Sequence, residues 1–196
     1  YAVQVGNVYR ILPVRNPRKD RDYLVDTEKS LDVMMKKYRY RGLDNPNVYY
    51  NDDYKGFVLN TRSSFNGVAQ ALIDDGKIDQ AKALLSFSLD KMPDKGVRYD
   101  FTASETVALL FQVGEKNKAI EIAKTIGDRA IDMATYLTTN GNGYSDELRN
   151  NIVLLNILQR ALYENGEKDL AKKYEDAVQK FMGFLQINEG GGRQDY

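Results

Sequence analysis

The sequence contains no cysteine and no histidine. These two absences exclude cysteine nucleophiles, histidine general bases, Ser-His-Asp triads and the usual zinc ligands. They also exclude a disulfide framework, although lack of cysteine says little about compartment. Positive and negative residues balance at 28 each, so bulk charge offers no argument for a nucleic-acid partner. No apolar run reaches the roughly 18 residues that a membrane span requires. What remains, 42% hydrophobic and 29% charged residues over 196 positions, is the composition of a folded globular chain with a sizeable core. It opens Tyr-Ala-Val rather than with methionine, and the expectation is a fragment or a processed product.

The most informative stretch is 59–93, which reads as two amphipathic helices joined at Gly76. Its turn recurs. LIDDGKIDQA (72–81) aligns with LFQVGEKNKA (110–119) and with LYENGEKDLA (162–171). Each copy has an apolar residue four positions before the glycine and an alanine five after it. Glycine takes the left-handed conformation that ends the first helix, and the small alanine lets the second helix lie close against it. The first copy matches the tetratricopeptide pattern best, with Phe65, Val68, Ala69, Leu72, Ala81, Leu85, Ser88 and Pro93 in the other signature positions. The later copies lack the proline. Glycine separations of 38 and 52 residues, against about 34 in a strict array, imply insertions of about four and eighteen residues. The predicted fold is all-α: tetratricopeptide-like hairpin repeats, an α-solenoid of about seven helices, after a short extended N-terminal segment. The competing fold is an ordinary helical bundle with glycine turns.

Along the chain, residues 1–25 read as extended, with VYRILPV (8–14) as a strand ended by Pro13 and Tyr23–Val25 able to pair back on it as a short hairpin. The repeat domain spans 26–187. Its first helix starts at Asp26, whose carboxylate can cap the first turn, and runs to Gly42. One continuous helix follows over about 52–75, and the next covers 78–92. Thr102 and Glu105 have the spacing of a capping box that opens a helix to Val113. Residues 118–139 form a longer helix that contains Gly127. NGNG (140–143) is a break, Ser145 caps the following helix, and a last helix runs from Lys168 to about Leu185. Residues 188–196 are read as a disordered tail.

Ligand candidates cluster in the connection before the long helix. Tyr38, Tyr40, Tyr49, Tyr50 and Tyr54 crowd it, with Phe57 beyond, and Asp44, Asn45 and Asn47 add carboxylate and amide groups. Aromatic faces beside amides suit a peptide or a sugar; the same rings can instead pack the first helix onto the first hairpin, their commoner use. Asp44, Asn45 and Asn47 do not follow the twelve-residue calcium-loop pattern, so no metal or cofactor is expected. For acid–base chemistry the only material is the acidic pairs Asp52/Asp53 and Asp74/Asp75, and adjacent residues on a helix point apart. No catalytic residue is assigned. Ten Lys/Arg against five Asp/Glu between Arg10 and Arg41 form a solvated face or, as the alternative, a contact for anionic lipid headgroups.

Four segments together, VYRILPV (8–14), VDTEK (25–29), GLDNPNVYY (42–50) and AQALIDDGK (69–77), resemble the C-terminal part of a bacterial family of large multispanning membrane proteins. That family is filed as a domain of unknown function and is similar to protein O-mannosyltransferases. The likeness covers roughly residues 5–125, and GLDNPN (42–47) is its most specific element. It implies a soluble appendage with degenerate tetratricopeptide-like repeats, following the last membrane span on the extracytoplasmic (periplasmic) face. The family's presumed catalytic residues would lie in the membrane part, so none carries over. Basic residues flanking a span usually mark the cytoplasmic side, and the modest excess here runs against that placement. The expected role is a non-catalytic recognition module, because stacked helical hairpins present a concave surface of the kind that holds extended peptides or partner proteins. Its partners would be a protein or peptide, possibly a glycan, and the membrane domain of its own full-length protein. The alternatives are a free-standing repeat scaffold or surface glycan-binding protein and, more remotely, a carboxylate-based hydrolase.

Overall fold

The computed structural model describes residues 1–17, 23–140 and 146–190, without the side chains of 186–190. The chain is mostly helical with a small N-terminal sheet, and it divides into two units, Tyr1–Glu115 and Lys116–Tyr196. Strands β1 (Ala2–Val5), β2 (Val8–Ile11) and β3 (Tyr23–Val25) open the first unit. They precede α1 (Thr27–Asp32), which closes in a π-helical turn at Val33–Lys37. Helices α2 (Asp52–Asp74), α3 (Ile78–Lys91) and α4 (Phe101–Gln112) complete that unit. The second unit holds α5 (Lys116–Thr139), α6 (Asp146–Glu164) and α7 (Lys168–Gly190). Parts of the sequence reading fall outside the described residues: the end of the polar turn at 16–22, most of the NGNG break, the Ser145 cap, and residues 191–196 of the tail; the first three residues read as tail, 188–190, instead continue α7.

The sheet corrects the expected pairing. β1, not β2, is central in the order β2-β1-β3: it pairs antiparallel with β2 and parallel with β3. Tyr23–Val25 therefore does not pair back on VYRILPV. The reason is local: Gly6 and Asn7 make a two-residue turn with Gly6 at φ +60°, which brings Val5 opposite Val8 and gives β2 a nearer partner. Gly6 also has no room for a side chain, because a Cβ would lie 2.7 Å from the Tyr38 hydroxyl and 2.9 Å from Val33 Cγ2. The sheet is tied to α1 by the Gly6 N–H, which donates to Ser30 Oγ at 2.9 Å. It is tied to α2 by the Gln4 amide, which donates to the Ser64 carbonyl at 3.1 Å.

Asp26 caps α1 as expected, its carboxylate accepting from the Lys29 N–H at 3.1 Å. The helix stops short of Gly42, however. Tyr38 N–H donates to the Val33 carbonyl five residues back, and Tyr38 itself is extended at ψ 151°. A second correction concerns α4. Its cap is Asp100, which accepts from the Thr102 N–H and hydroxyl, so Thr102 lies inside the first turn rather than before it.

The three glycine turns share one geometry. Gly76, Gly114 and Gly166 have φ of +74°, +78° and +83°. In each, the residue after the glycine donates to the carbonyl of the leucine four before it: Lys77 to Leu72, Glu115 to Leu110 and Glu167 to Leu162, at 2.8–2.9 Å. This is a Schellman cap, and it explains the spacing, because the leucine that supplies the carbonyl is also the residue buried beneath the turn. Leu72, Leu110 and Leu162 are fully buried, as are Ala81, Ala119 and, all but completely, Ala171.

In the first unit the core lies between α2 and α3, where Phe65, Leu72, Leu84 and Leu85 are fully buried. In the second, Leu148, Leu155, Leu158 and Leu162 of α6 lie in a core with Ile126 of α5 and Phe181 of α7. Tyr174 of α7 lies across α5, its hydroxyl donating to the Ala123 carbonyl at 3.1 Å. Gly127 makes room for that ring: a Cβ there would come within 2.3 Å of Tyr174 Cζ.

Candidate functional site

The connection between α1 and α2 is held from inside by some of its tyrosines and exposes others. Tyr40 turns inward, its ring centroid 6.0 Å from that of Phe65 and 5.8 Å from that of Phe87. Its hydroxyl donates to the Met34 carbonyl at 2.8 Å, and burial raises its pKa far above the ordinary tyrosine value. Tyr38 packs edge-on to Tyr40, and its hydroxyl accepts from the Asn7 N–H at 3.4 Å. Tyr50, half-buried, folds back toward Gly42, where its hydroxyl would lie 3.3 Å from an added Cβ. Gly42 is itself at φ +78°.

The middle of the connection is a series of turns. Asn45 N–H donates to the Gly42 carbonyl at 3.1 Å, and Asn47 N–H to the Asn45 side-chain oxygen at 3.0 Å. That second bond engages an Asn45 acceptor in local backbone structure. Leu43 presses its carbonyl against Gly96 of the α3–α4 connection so closely that a Cβ at 96 would sit 1.8 Å away. Asp44, Asn45 and Asn47 are all exposed. Among the described residues, no group of three or more His, Cys, Asp or Glu side chains is placed to hold a metal ion.

Outward from this frame stand the remaining aromatics. Tyr49 is 85% exposed, Tyr54 61% and Phe57 68%. Tyr54 and Phe57 occupy neighbouring positions on the first turns of α2, with ring centroids 6.4 Å apart. Asn51 caps that helix, accepting from the Tyr54 N–H at 3.0 Å, so Tyr54 is fixed at its root. One turn on, Thr61 accepts from the Asn7 amide at 3.0 Å, which ties this end of α2 to the β1–β2 turn. The predicted candidates thus divide. Tyr38, Tyr40 and Tyr50 build the frame, while Tyr49, Tyr54 and the polar Asp44, Asn45 and Asn47 are presented on it.

The acidic pairs have a different placement. Asp52 and Asp53 start α2 and Asp74 ends it, with Asp75 as its C-cap, so the two pairs are about 33 Å apart at 1.5 Å per residue. That exceeds any two-carboxylate glycosidase separation. Asp52 pairs with Lys55 at 3.0 Å, Asp75 with Lys77 at 3.4 Å, and Asp74 accepts from Gln70 at 2.8 Å.

The residue that sequence reasoning missed is Arg62. It is 3% exposed, and its guanidinium donates to the carbonyls of Met92 at 3.0 Å, Arg98 at 2.9 Å and Val97. Asp100 lies 3.8 Å away and Tyr99 stacks at 5.1 Å. Burial lowers the pKa of Arg62 while Asp100 opposes the shift, and the ordinary value is so high that the group stays charged. One turn later Asn66 donates to the Thr102 carbonyl at 2.8 Å and accepts from the Thr106 hydroxyl at 2.8 Å. Together they lock the loop on which Leu43 rests. Their only sequence signal is register, because position 62 falls four after buried Val58 and three before buried Phe65.

In the second unit, a cleft of about 480 Å³ at the α6–α7 turn is lined by charges of both signs. Lys173 there is paired with Asp128 at 2.6 Å and Glu167 with Lys116 at 2.6 Å. No helix among the described residues is long and apolar enough to cross a membrane. No family model, curated protein or solved structure matches the chain.

Proposed function

We propose that this chain is a non-catalytic recognition module. It is the C-terminal appendage of a membrane glycosyltransferase-like protein and acts on the extracytoplasmic side of a bacterial inner membrane. The observation that carries the recognition role is the exposure of Tyr49 on the α1–α2 connection and of Tyr54 and Phe57 on the first turns of α2, beside a connection backbone held by Tyr40 and Leu43. Large aromatic faces held on a fixed frame lose little side-chain entropy on binding, which favours them as contact residues. The partner is a peptide, a protein or a glycan, with the exposed amides of Asn45 and Asn47 available for hydrogen bonds. Tetratricopeptide-like stacking of the glycine-turn hairpins belongs to the same proposal. The three matched caps support it.

The membrane attachment and its sidedness rest on the sequence resemblance. They are tested by locating the full-length polypeptide in membrane fractions and probing this region with protease from the periplasmic side. The recognition role is tested by the Tyr49→Ala, Tyr54→Ala double variant against immobilised glycans and extended peptides. Binding lost at an unchanged melting temperature supports a platform. Unchanged binding refutes the platform, and a lowered melting temperature shows that these rings serve the fold.

A further inference from the structure

β2 is an edge strand whose four residues are all exposed: Val8 59%, Tyr9 51% and Ile11 74%, with Arg10 between them. The hairpin register determines which of its backbone groups are used. Val5 pairs with Val8 and Val3 with Arg10, and the Leu12 N–H donates to the Tyr1 carbonyl at 2.8 Å. In an antiparallel pair, hydrogen-bonded and non-hydrogen-bonded positions alternate. A two-residue loop makes Val5 and Val8 a bonded pair, so Val8, Arg10 and Leu12 point their backbone groups at β1. Tyr9 and Ile11 point theirs away, leaving two N–H and two C=O groups in line along an edge that is open among the described residues. The strand has no proline or lysine to discourage pairing, and Pro13 lies beyond it.

We propose that the β2 edge accepts an extended peptide segment as an antiparallel fourth strand, with an acidic residue of that segment opposite Arg10. The choice of occupant follows from charge. Arg10 sits at a position whose cross-strand neighbour is non-hydrogen-bonded, where side chains come closest and a carboxylate pairs with it directly. A second copy of this chain fits worse. The symmetric register that satisfies all four outward groups pairs Tyr9 with Ile11 of the copy and so places Arg10 against Arg10. Shifting that register by two residues engages either Pro13, which has no N–H, or Asn7, whose N–H already meets Tyr38. Exposed side chains on both faces of β2 give the incoming strand apolar neighbours at alternate positions.

This proposal rests on the reading of the chain as a recognition module but uses a surface other than the exposed tyrosines. The probe is a fluorescein-labelled peptide alternating valine and threonine with one central glutamate, compared with its lysine counterpart by fluorescence anisotropy on the whole chain. The glutamate peptide is expected to bind several-fold more tightly, and Arg10→Glu to reverse the order. Ile11→Pro deletes an outward N–H while leaving every β1–β2 hydrogen bond, and is expected to abolish binding without loss of helical signal. Hydrogen exchange gives a readout that needs no variant: the Tyr9 and Ile11 amides should slow on peptide addition. Equal binding of the two peptides, or unchanged exchange at these amides, overturns the proposal. So does concentration-dependent dimerisation that Ile11→Pro removes, since a second copy would then be the occupant. If the Tyr49→Ala, Tyr54→Ala variant still binds the glutamate peptide, the edge acts independently of the tyrosine surface; loss there alone would place binding on the tyrosines and also overturn the edge proposal.

Discussion

Replacing Gly127 by alanine sets two well-known effects against each other, and the structure says which wins. At an open helical position the change is favourable by about 0.5–1 kcal/mol, because glycine loses more backbone entropy on folding. Gly56 of α2 is such a position, with nothing within 4 Å of an added Cβ. At Gly127 the Cβ would lie 2.3 Å from Tyr174 Cζ and 2.4 Å from its hydroxyl oxygen. Ordinary contact begins near 3.4 Å, so the ring must retreat by about 1 Å. Tyr174 is fully buried and has no open side to move into. Overpacking of this kind costs about 1–3 kcal/mol, and displacing the hydroxyl from the Ala123 carbonyl adds about 1. After subtracting the propensity gain, Gly127→Ala should destabilise by about 1–3 kcal/mol, while Gly56→Ala should stabilise by up to about 1. Urea denaturation of both variants, followed by circular dichroism, measures the contrast directly. A double-mutant cycle with Tyr174→Leu should recover much of the loss, because it removes the obstructing atoms. If Gly127→Ala is neutral or stabilising, the Tyr174 ring does not pack against Gly127.

Arg62→Met keeps most of the side-chain volume but strips the donors from three carbonyls around the α3–α4 connection, and should cost about 2–4 kcal/mol in urea denaturation. Unchanged stability would show that water replaces the guanidinium. Burial raises the pKa of Tyr40 and Tyr174 above the ordinary tyrosine value of 10.0, so both are neutral in the fold while their unfolded counterparts ionise near 10. The stability they contribute is complete below about pH 10 and falls as pH rises past it. The Tyr40→Phe, Tyr174→Phe double variant should flatten that alkaline decline, and an identical pH profile would contradict it. The Tyr49→Ala, Tyr54→Ala variant should retain its melting temperature, since both rings are exposed and neither braces the connection.

Much of the helical layout was legible because its determinants are close in sequence. Asp26 capping α1, the extent of α2 and α3, and the three glycine turns each depend on residues within about six positions of one another. The α4 start was misread by two residues because Thr102 and Asp100 both offer an acceptor. The candidate site was legible only as a set: nothing local distinguishes Tyr40, drawn between Phe65 and Phe87, from Tyr49, which meets solvent. The sheet was read as extended segments, but the partner of each was not, since strand pairing is decided by which segments meet.

Sequence alone thus determined the turns and the helices they separate, because glycine at positive φ and the leucine and alanine around it act within a single helical hairpin. Tertiary structure decided the rest: that β1 is central, that α1 ends at Lys37 rather than Gly42, that Arg62 is buried, and that Gly127 must stay bare for Tyr174. Each of these depends on a residue more than about twenty positions away or on the space left between packed elements. A side chain's local sequence carries no record of the surface it will finally touch.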